Sequence, residues 1–508
     1  MIAEAKELDA RAIRRLLPLD TLSIVHDGVT PLQRQLYEQL RRLIEERLLP
    51  AGSRIPSSRS LAADLGVSRT TVVSVYGQLA TEGYIDFRPG ARAVVVDLPA
   101  ALPATEVDAV EGRRQLSTRG AVMQEQPHHH GKPGLLAFHP GMPDSDYFPF
   151  GIWSRLLARR ATAAKKDLFG SHDAAGYRPL REAIARYVKV ARGVRCTAEQ
   201  VVVTAGAQAA LDLMARVLLD VGDTALVEEP GYYGAQAALI AAGASLSPLR
   251  VGQDGWNIDL DRSVSPRLIY VTPASQQPLG LTMRMDQRLQ LIALADRADA
   301  FIIEDDFDGE YRFNSSPIPA MQGIDQTDRV IYLGTFSKLL FPALRIGFMV
   351  LPKSLVGRFD NPLRITGQYA MPLIQAALAD FIDGGYMTTH LRRMRRIYAA
   401  RRETFRQISG ARLGRWMSLL PGDAGISLVG EFNELGDDLG LAAAARRRSL
   451  NVTPLSMHYR HGAARRGIVM GYAALPEAAM PNAFARLEDA FRESLGERPA
   501  RTGVFTSS

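Results

Sequence analysis

Val330-Ile-Tyr-Leu-Gly-Thr-Phe-Ser-Lys338 is an apolar run that ends in a lysine. Val330 to Leu333 is short and apolar throughout, as a strand buried on both faces is. Lys338 follows it directly. Lysine is scarce here: of 61 basic residues only Lys6, Lys132, Lys165, Lys166, Lys189, Lys338 and Lys353 are lysine. Lys6 and Lys132 lie in polar flanking segments, Lys165, Lys166 and Lys189 in polar helical stretches, and Lys353 beside Pro352. Working outward, Val201–Thr204, Ala225–Val227, Leu268–Thr272, Phe301–Glu304 and Ile346–Leu351 are equally short and apolar or β-branched. Helical stretches such as Ala207–Leu219 and Asp286–Ala298 separate several of them. The alternation predicts an α/β sandwich around a parallel or mixed sheet.

Other chemistry stands at comparable strand ends. Asp305 closes Ile302-Ile-Glu-Asp305, where a carboxylate without a partner costs on the order of several kcal/mol. Arg345 follows Lys338 closely, and Thr204-Ala-Gly-Ala-Gln208 sets small residues at a strand-to-helix junction whose amides can approach an anion. A lysine able to form a Schiff base, a carboxylate able to hold a pyridine nitrogen protonated and a phosphate cup are what amine chemistry on such a ring requires.

A chain of 508 residues with net charge +7 has room for two or three domains. No basic stretch followed by an apolar run and a small-residue cleavage site opens it, and no run of about 18 apolar residues interrupts it, so a cytoplasmic protein without a membrane span is expected. The single Cys196 excludes an internal disulfide and cannot build a zinc site alone; it reads as a packing residue, and no metal is expected. Residues 1–30 read as a loosely attached leader, 31–96 as a compact helical module, 97–133 as a flexible linker carrying the polar spacer His128–His130, 134–492 as the large α/β domain with a C-terminal subdomain from about 355, and 493–508 as a tail.

In the module, Leu36, Leu40, Leu43, Ile44 and Leu48 form one stripe of a helix from Leu32 to Leu49. Ser57 or Ser58 caps a second helix that Gly66 stops, and Ser68 caps a third. There Val72, Val75, Tyr76 and Leu79 face inward, leaving Arg69, Thr70 and Ser74 outward, where a recognition helix touches base edges and phosphates. Tyr84–Phe87 and Ala93–Val96 pair as a wing. Nine arginines against six acids over residues 31–96 supply the charge that phosphate contact needs.

Through Pro31–Tyr37, Arg54–Arg59, Leu61–Val72 and Gly83-Tyr84, the module resembles the GntR family of winged helix-turn-helix regulators. The resemblance implies operator DNA as partner, with Arg54, Ser58, Arg59, Ser68, Arg69, Thr70, Thr71 and Arg92 as contacts. The wing lacks the family's serine and offers Arg92 for the minor groove instead. From about Leu135 to Arg492 the chain resembles fold-type I pyridoxal-phosphate enzymes, and as a whole the MocR-type regulators that join these two parts. That implies pyridoxal 5'-phosphate on Lys338, Asp305 at its ring nitrogen, Arg345, Ala207, Gln208 and Ser337 around it, Tyr232 stacked on the ring, and a homodimer at two half-sites.

The departures bear on catalysis. Phe307 stands where the family has a tyrosine for the phenolate oxygen, and Phe169 where a tyrosine reaches the partner subunit's phosphate. Ala274, Ser275, Gln276 and Gln277 replace a Ser-His-Gln-aromatic run. Gly467–Ala473 has no substrate-carboxylate arginine, a role left to Arg460. The leading expectation is a regulator that senses an amine, an amino acid or the cofactor itself, without efficient transamination. A working aminotransferase with an accessory DNA module is the alternative, separated by turnover. A dimerisation scaffold that has lost the cofactor is a third, separated by the absorbance spectrum.

Overall fold

The computed structural model describes residues 21–25, 30–87, 92–98, 116–126, 137–163, 166–170, 173–259, 264–313, 318–422, 424–434 and 436–495. The chain divides into two compact units, Met1–Gln115 and Leu116–Ser508. The His128–His130 run, the wing tip 88–91, and most of the leader, linker and tail lie outside the described residues.

In the first unit, α1 (Leu32–Glu45) buries Leu36, Leu40, Leu43 and Ile44. It stops short of the expected Leu49 because Arg47 takes a left-handed backbone, φ 58°. The chain then rotates, so that Leu48 is 50% exposed while Leu49 is buried in its stead. Ser57, not Ser58, caps α2 (Ser58–Leu65) by accepting the Ser60 amide, and Gly66 ends it at φ 64°. Ser68 caps α3 (Arg69–Thr81), whose Val72, Val75, Tyr76 and Leu79 are buried. The wing strands β1 (Ile85–Asp86) and β2 (Val94–Val95) pair antiparallel and are shorter than expected. The end of the leader is not loose: Leu22 is buried, and Ser23 and Val25 donate backbone amides to Gln39 and Gln35 of α1.

The second unit begins with a correction to the linker. Ser117 caps a helix, α4 (Thr118–Gln124), that buries none of its own residues. Packing against a later helix supports it without leaving an apolar stripe in its sequence. After α5 (Arg178–Arg192) come β3 (Val201–Thr204), α6 (Ala207–Leu218), β4 (Thr224–Glu229), α7 (Tyr233–Ala242, the helix that α4 touches), β5 (Ser245–Gly252), β6 (Gly255–Trp256), β7 (Leu268–Val271), α8 (Met285–Arg297), β8 (Phe301–Asp306), β9 (Val330–Thr335) and β10 (Gly347–Val350). Their sheet has the order β3-β10-β9-β8-β7-β4-β5-β6.

Strands β4, β5, β7, β8 and β9 run parallel, while β10 is antiparallel to both β3 and β9. The carboxyl ends of β3, β7, β8 and β9 and the amino end of β10 therefore share one edge, where open α/β sheets place their ligands. Each of the six expected strands is present. β5 escaped notice because only Leu249 and Val251 of its eight residues are buried. Beyond residue 355, the long α9 (Tyr386–Leu413) leads to a second, antiparallel sheet of β11 (Met417–Leu419), β12 (Ser427–Phe432), β14 (Gly467–Gly471) and β13 (Thr453–Pro454) in that order.

Candidate cofactor site and DNA interface

Strand alternation separates two adjacent carboxylates at the end of β8. Asp306 turns to Arg192, 2.5 Å from its Nε, and accepts the Tyr332 hydroxyl at 2.7 Å. Asp305 turns the other way: its Oδ2 accepts the Tyr270 hydroxyl at 2.7 Å, while its buried Oδ1 has no partner. Burial pushes the Asp305 carboxyl up to about 6. Lys338 acts on it electrostatically. Burial in turn lowers the Lys338 ammonium, against the pull of Asp308 and Asp305. Lys338 Nζ lies 3.9 Å from the centre of the Phe307 ring. Gly141, at φ 67°, passes close by: a Cβ there would stand 3.5 Å from the same nitrogen, in ordinary contact with it.

The anion cup is built from backbone and one cation. Gly206 has φ 104° and precedes α6, so the first amides of that helix, Ala207 and Gln208, are presented at its positive end. Gly347 permits this turn, because a Cβ there would lie 2.9 Å from Ala207 N. Register pairs Gly347 with both Thr204 and Thr335, which brings Arg345 beside the cup. The guanidinium carbon of Arg345 is 3.7 Å from where a Gly206 Cβ would stand. That guanidinium makes no hydrogen bond or ion pair among the described residues. The Gln208 side chain donates to Gly234 O, leaving its amide as its contribution. Ser337 donates its amide to Thr335 Oγ1. The Tyr232 phenol is pushed up to about 12 by burial and then by the charge of Asp305. These groups fit pyridoxal 5'-phosphate: the free Asp305 oxygen suits a protonated ring nitrogen, Arg345 with α6 a phosphate, and Lys338 the aldehyde carbon.

Arg460, expected at the substrate carboxylate, bonds in this structure to other groups. Its backbone amide donates to Glu229 and both terminal nitrogens of its exposed guanidinium donate to Gln126 Oε1 at 3.2 Å, next to α4, and among the described residues it makes no hydrogen bond to the Lys338 group. Gln276 and Thr272 are likewise engaged, holding the buried Glu228. Phe169 is 68% exposed. The sequence reading missed Asp308. It is buried, accepts the Ile426 amide and the Ser275 hydroxyl through one side, and leaves Oδ1 unpartnered. An acid so soon after an apolar strand end was the available signal.

On the first unit, Arg54, Arg59, Arg69, Thr70 and Arg92 are exposed, and none of these arginines makes an ion pair among the described residues. Arg34, Arg41 and Arg42 of α1 are instead paired with Glu38, Glu45 and Glu46 one turn on. Ser68 and Thr71 share the cap of α3, so their hydroxyls are partly used, and Ser58 is half-buried.

The family described as Bacterial regulatory proteins, gntR family matches residues 32–95, and Aminotransferase class I and II matches residues 152–487. The Rhizobium meliloti protein named "Probable rhizopine catabolism regulatory protein MocR" is 46% identical over 94% of this chain and 98% of its own length. An uncharacterized HTH-type transcriptional regulator of Bacillus subtilis, YdeL, is 31% identical over 91% of this chain and 97% of its own. Among solved structures, the α-aminoadipate aminotransferase LysN of Thermus thermophilus superposes with a TM-score of 0.66 at 25% identity, over 76% of this chain and 97% of its own. This chain therefore belongs to the MocR-type GntR regulators, with a helix-turn-helix domain that binds operator DNA and a fold-type I aminotransferase-like domain, a fold that generally uses pyridoxal phosphate.

Proposed function

We propose that this regulator carries pyridoxal 5'-phosphate on Lys338, senses an amine-bearing ligand there and adjusts its grip on operator DNA, acting in the cytoplasm as a homodimer at two half-sites. The observation that carries the reading is the buried Asp305 oxygen left without a partner, on a carboxylate that the half-buried Lys338 acts on electrostatically. A bound cofactor supplies an electron sink for the amine carbon. Asp305 would hold the ring nitrogen protonated, Arg345 and the start of α6 would hold the phosphate, Tyr232 would stack on the ring, and burial, which lowers the Lys338 ammonium, would favour the amine form that reacts.

The site is suited to binding more than to turnover. Phe307 offers no hydroxyl to the phenolate oxygen, and acid–base tuning of that kind commonly supplies on the order of a hundredfold in rate. A ligand state that persists can shift the balance between two arrangements of the DNA-binding heads when it binds them unequally. The test is reconstitution with cofactor, borohydride reduction and peptide mass analysis. Labelled cofactor on the Lys338 peptide is expected, with none in Lys338→Ala; wild-type protein that takes up no reducible cofactor overturns the assignment.

A further inference from the structure

We infer that the pocket beside Lys338 selects an amine bearing a hydrogen-bond donor, a hydroxyl or a second ammonium, where an amino acid bears its carboxylate, and that Asp308 reads that donor. The inference rests on the reading of Lys338 as the cofactor lysine and names the ligand class of the same site. Asp308 is 3% exposed; its Oδ2 accepts the Ile426 amide at 3.3 Å and its Oδ1 has no partner. Ser275 holds the carboxylate in place, and Lys338 is the cation that acts on it. A buried acceptor without a donor is costly, so a ligand that brings one gains what the protein leaves unmet.

The arginines that could hold a ligand carboxylate already donate elsewhere, Arg402 through only one of its nitrogens. Arg460 is on Gln126, and Arg312 donates to Ala274 O and the Thr282 hydroxyl. Arg402 donates to Gly422 O and lies over the Phe313 ring. Arg345 belongs to the anion cup, and the Gly141 amide donates to the Ser427 hydroxyl. A carboxylate entering here meets the charge of Asp308, with the one unpartnered Nε of Arg402 as the rival donor among these arginines. A second ammonium finds both that charge and the Phe307 face, on which Lys338 Nζ already rests at 3.9 Å.

Matched ligands test this on the holoprotein by the visible absorbance of the bound cofactor: 2-amino-1,3-propanediol against L-serine, and 1,2-diaminopropane against L-alanine. The aminodiol and the diamine should each bind at least about tenfold tighter than their amino-acid counterparts, because a site built around a buried acceptor rejects ligands that cannot satisfy it. Asp308→Asn should cut both preferences by about tenfold, the diamine's most, with the cofactor band and thermal unfolding reporting that the variant is folded and loaded. The wild-type comparison stands without any variant. Equal or tighter binding of L-serine overturns the inference, as does serine binding that disappears in Arg402→Ala, whose Nε has no partner. An unchanged ratio in folded Asp308→Asn removes Asp308 from the account. If cofactor is trapped on Lys338 but no amine or amino acid moves the band, the inference and the sensing role fall together. If the predicted preference is found while operator affinity ignores every ligand, only the regulatory role falls.

Discussion

Arg59, Arg69 and Arg92 stand exposed with no ion partner among the described residues, whereas Lys338, Asp305 and Asp308 are shielded and two of these leave a carboxylate oxygen without a donor. The first unit completes its own core and offers charge outward, so its binding groups can change without unfolding it. The second unit holds its binding groups at a cost, with desolvated charges that only a ligand completes. Electrostatics in the first should therefore govern affinity for a polyanion and respond to salt. In the second they should couple ligand, stability and pH.

The largest expected effect divides two neighbours on β8. Asp306→Ala strands the buried guanidinium of Arg192 and should lower stability by about 3–5 kcal/mol, read by denaturant unfolding. Asp305→Ala should leave the fold largely intact while weakening cofactor binding about 30-fold or more, since a buried charge pair that loses one partner forfeits about 2 kcal/mol or more. Equal unfolding losses in both variants would erase the distinction drawn between the two carboxylates.

The pH dependence is intermediate. Burial raises both Asp305 and Asp308 to about 6, so without cofactor the folded state holds protons that the unfolded chain releases nearer pH 4. That contribution is present below pH 4 and is lost as pH rises through about 6, on the order of 3 kcal/mol per group. A protonated ring nitrogen favours ionised Asp305, so stabilisation by cofactor should grow between pH 5 and pH 7. Thermal unfolding with and without cofactor at pH 5, 6 and 7 measures it, and Asp305→Asn should flatten the trend.

The smallest effect belongs to the first unit. Arg69→Ala should leave unfolding unchanged and reduce the slope of log affinity against log salt by roughly one. Arg42→Ala, whose partner is Glu46 on its own helix, should leave that slope unaltered.

How much of this was legible in the sequence follows the same division. β3, β7, β8, β9 and β10 announce themselves because burial on both faces leaves them apolar throughout, and Lys338, Asp305 and Arg345 stand out as charges at their ends. α4 and the docked Leu22 do not, because tertiary packing alone supports segments with no apolar stripe. Leu48 and Leu49 exchanged roles because both are leucine, and only the left-handed turn at Arg47 decides which faces in. The partner of Arg460 was hidden and Asp308 overlooked for a common reason: spacing identifies a charge but not its partner, and Gln126, 334 residues from Arg460, is not a neighbour in sequence.

Operator affinity by fluorescence anisotropy, for wild-type holoprotein and Lys338→Ala with and without a saturating amine ligand, tests the central claim most directly. Wild-type affinity should change with the amine, and Lys338→Ala should bind the operator with an affinity the amine does not move. Identical affinity in all four states would contradict a regulator that senses through its cofactor lysine.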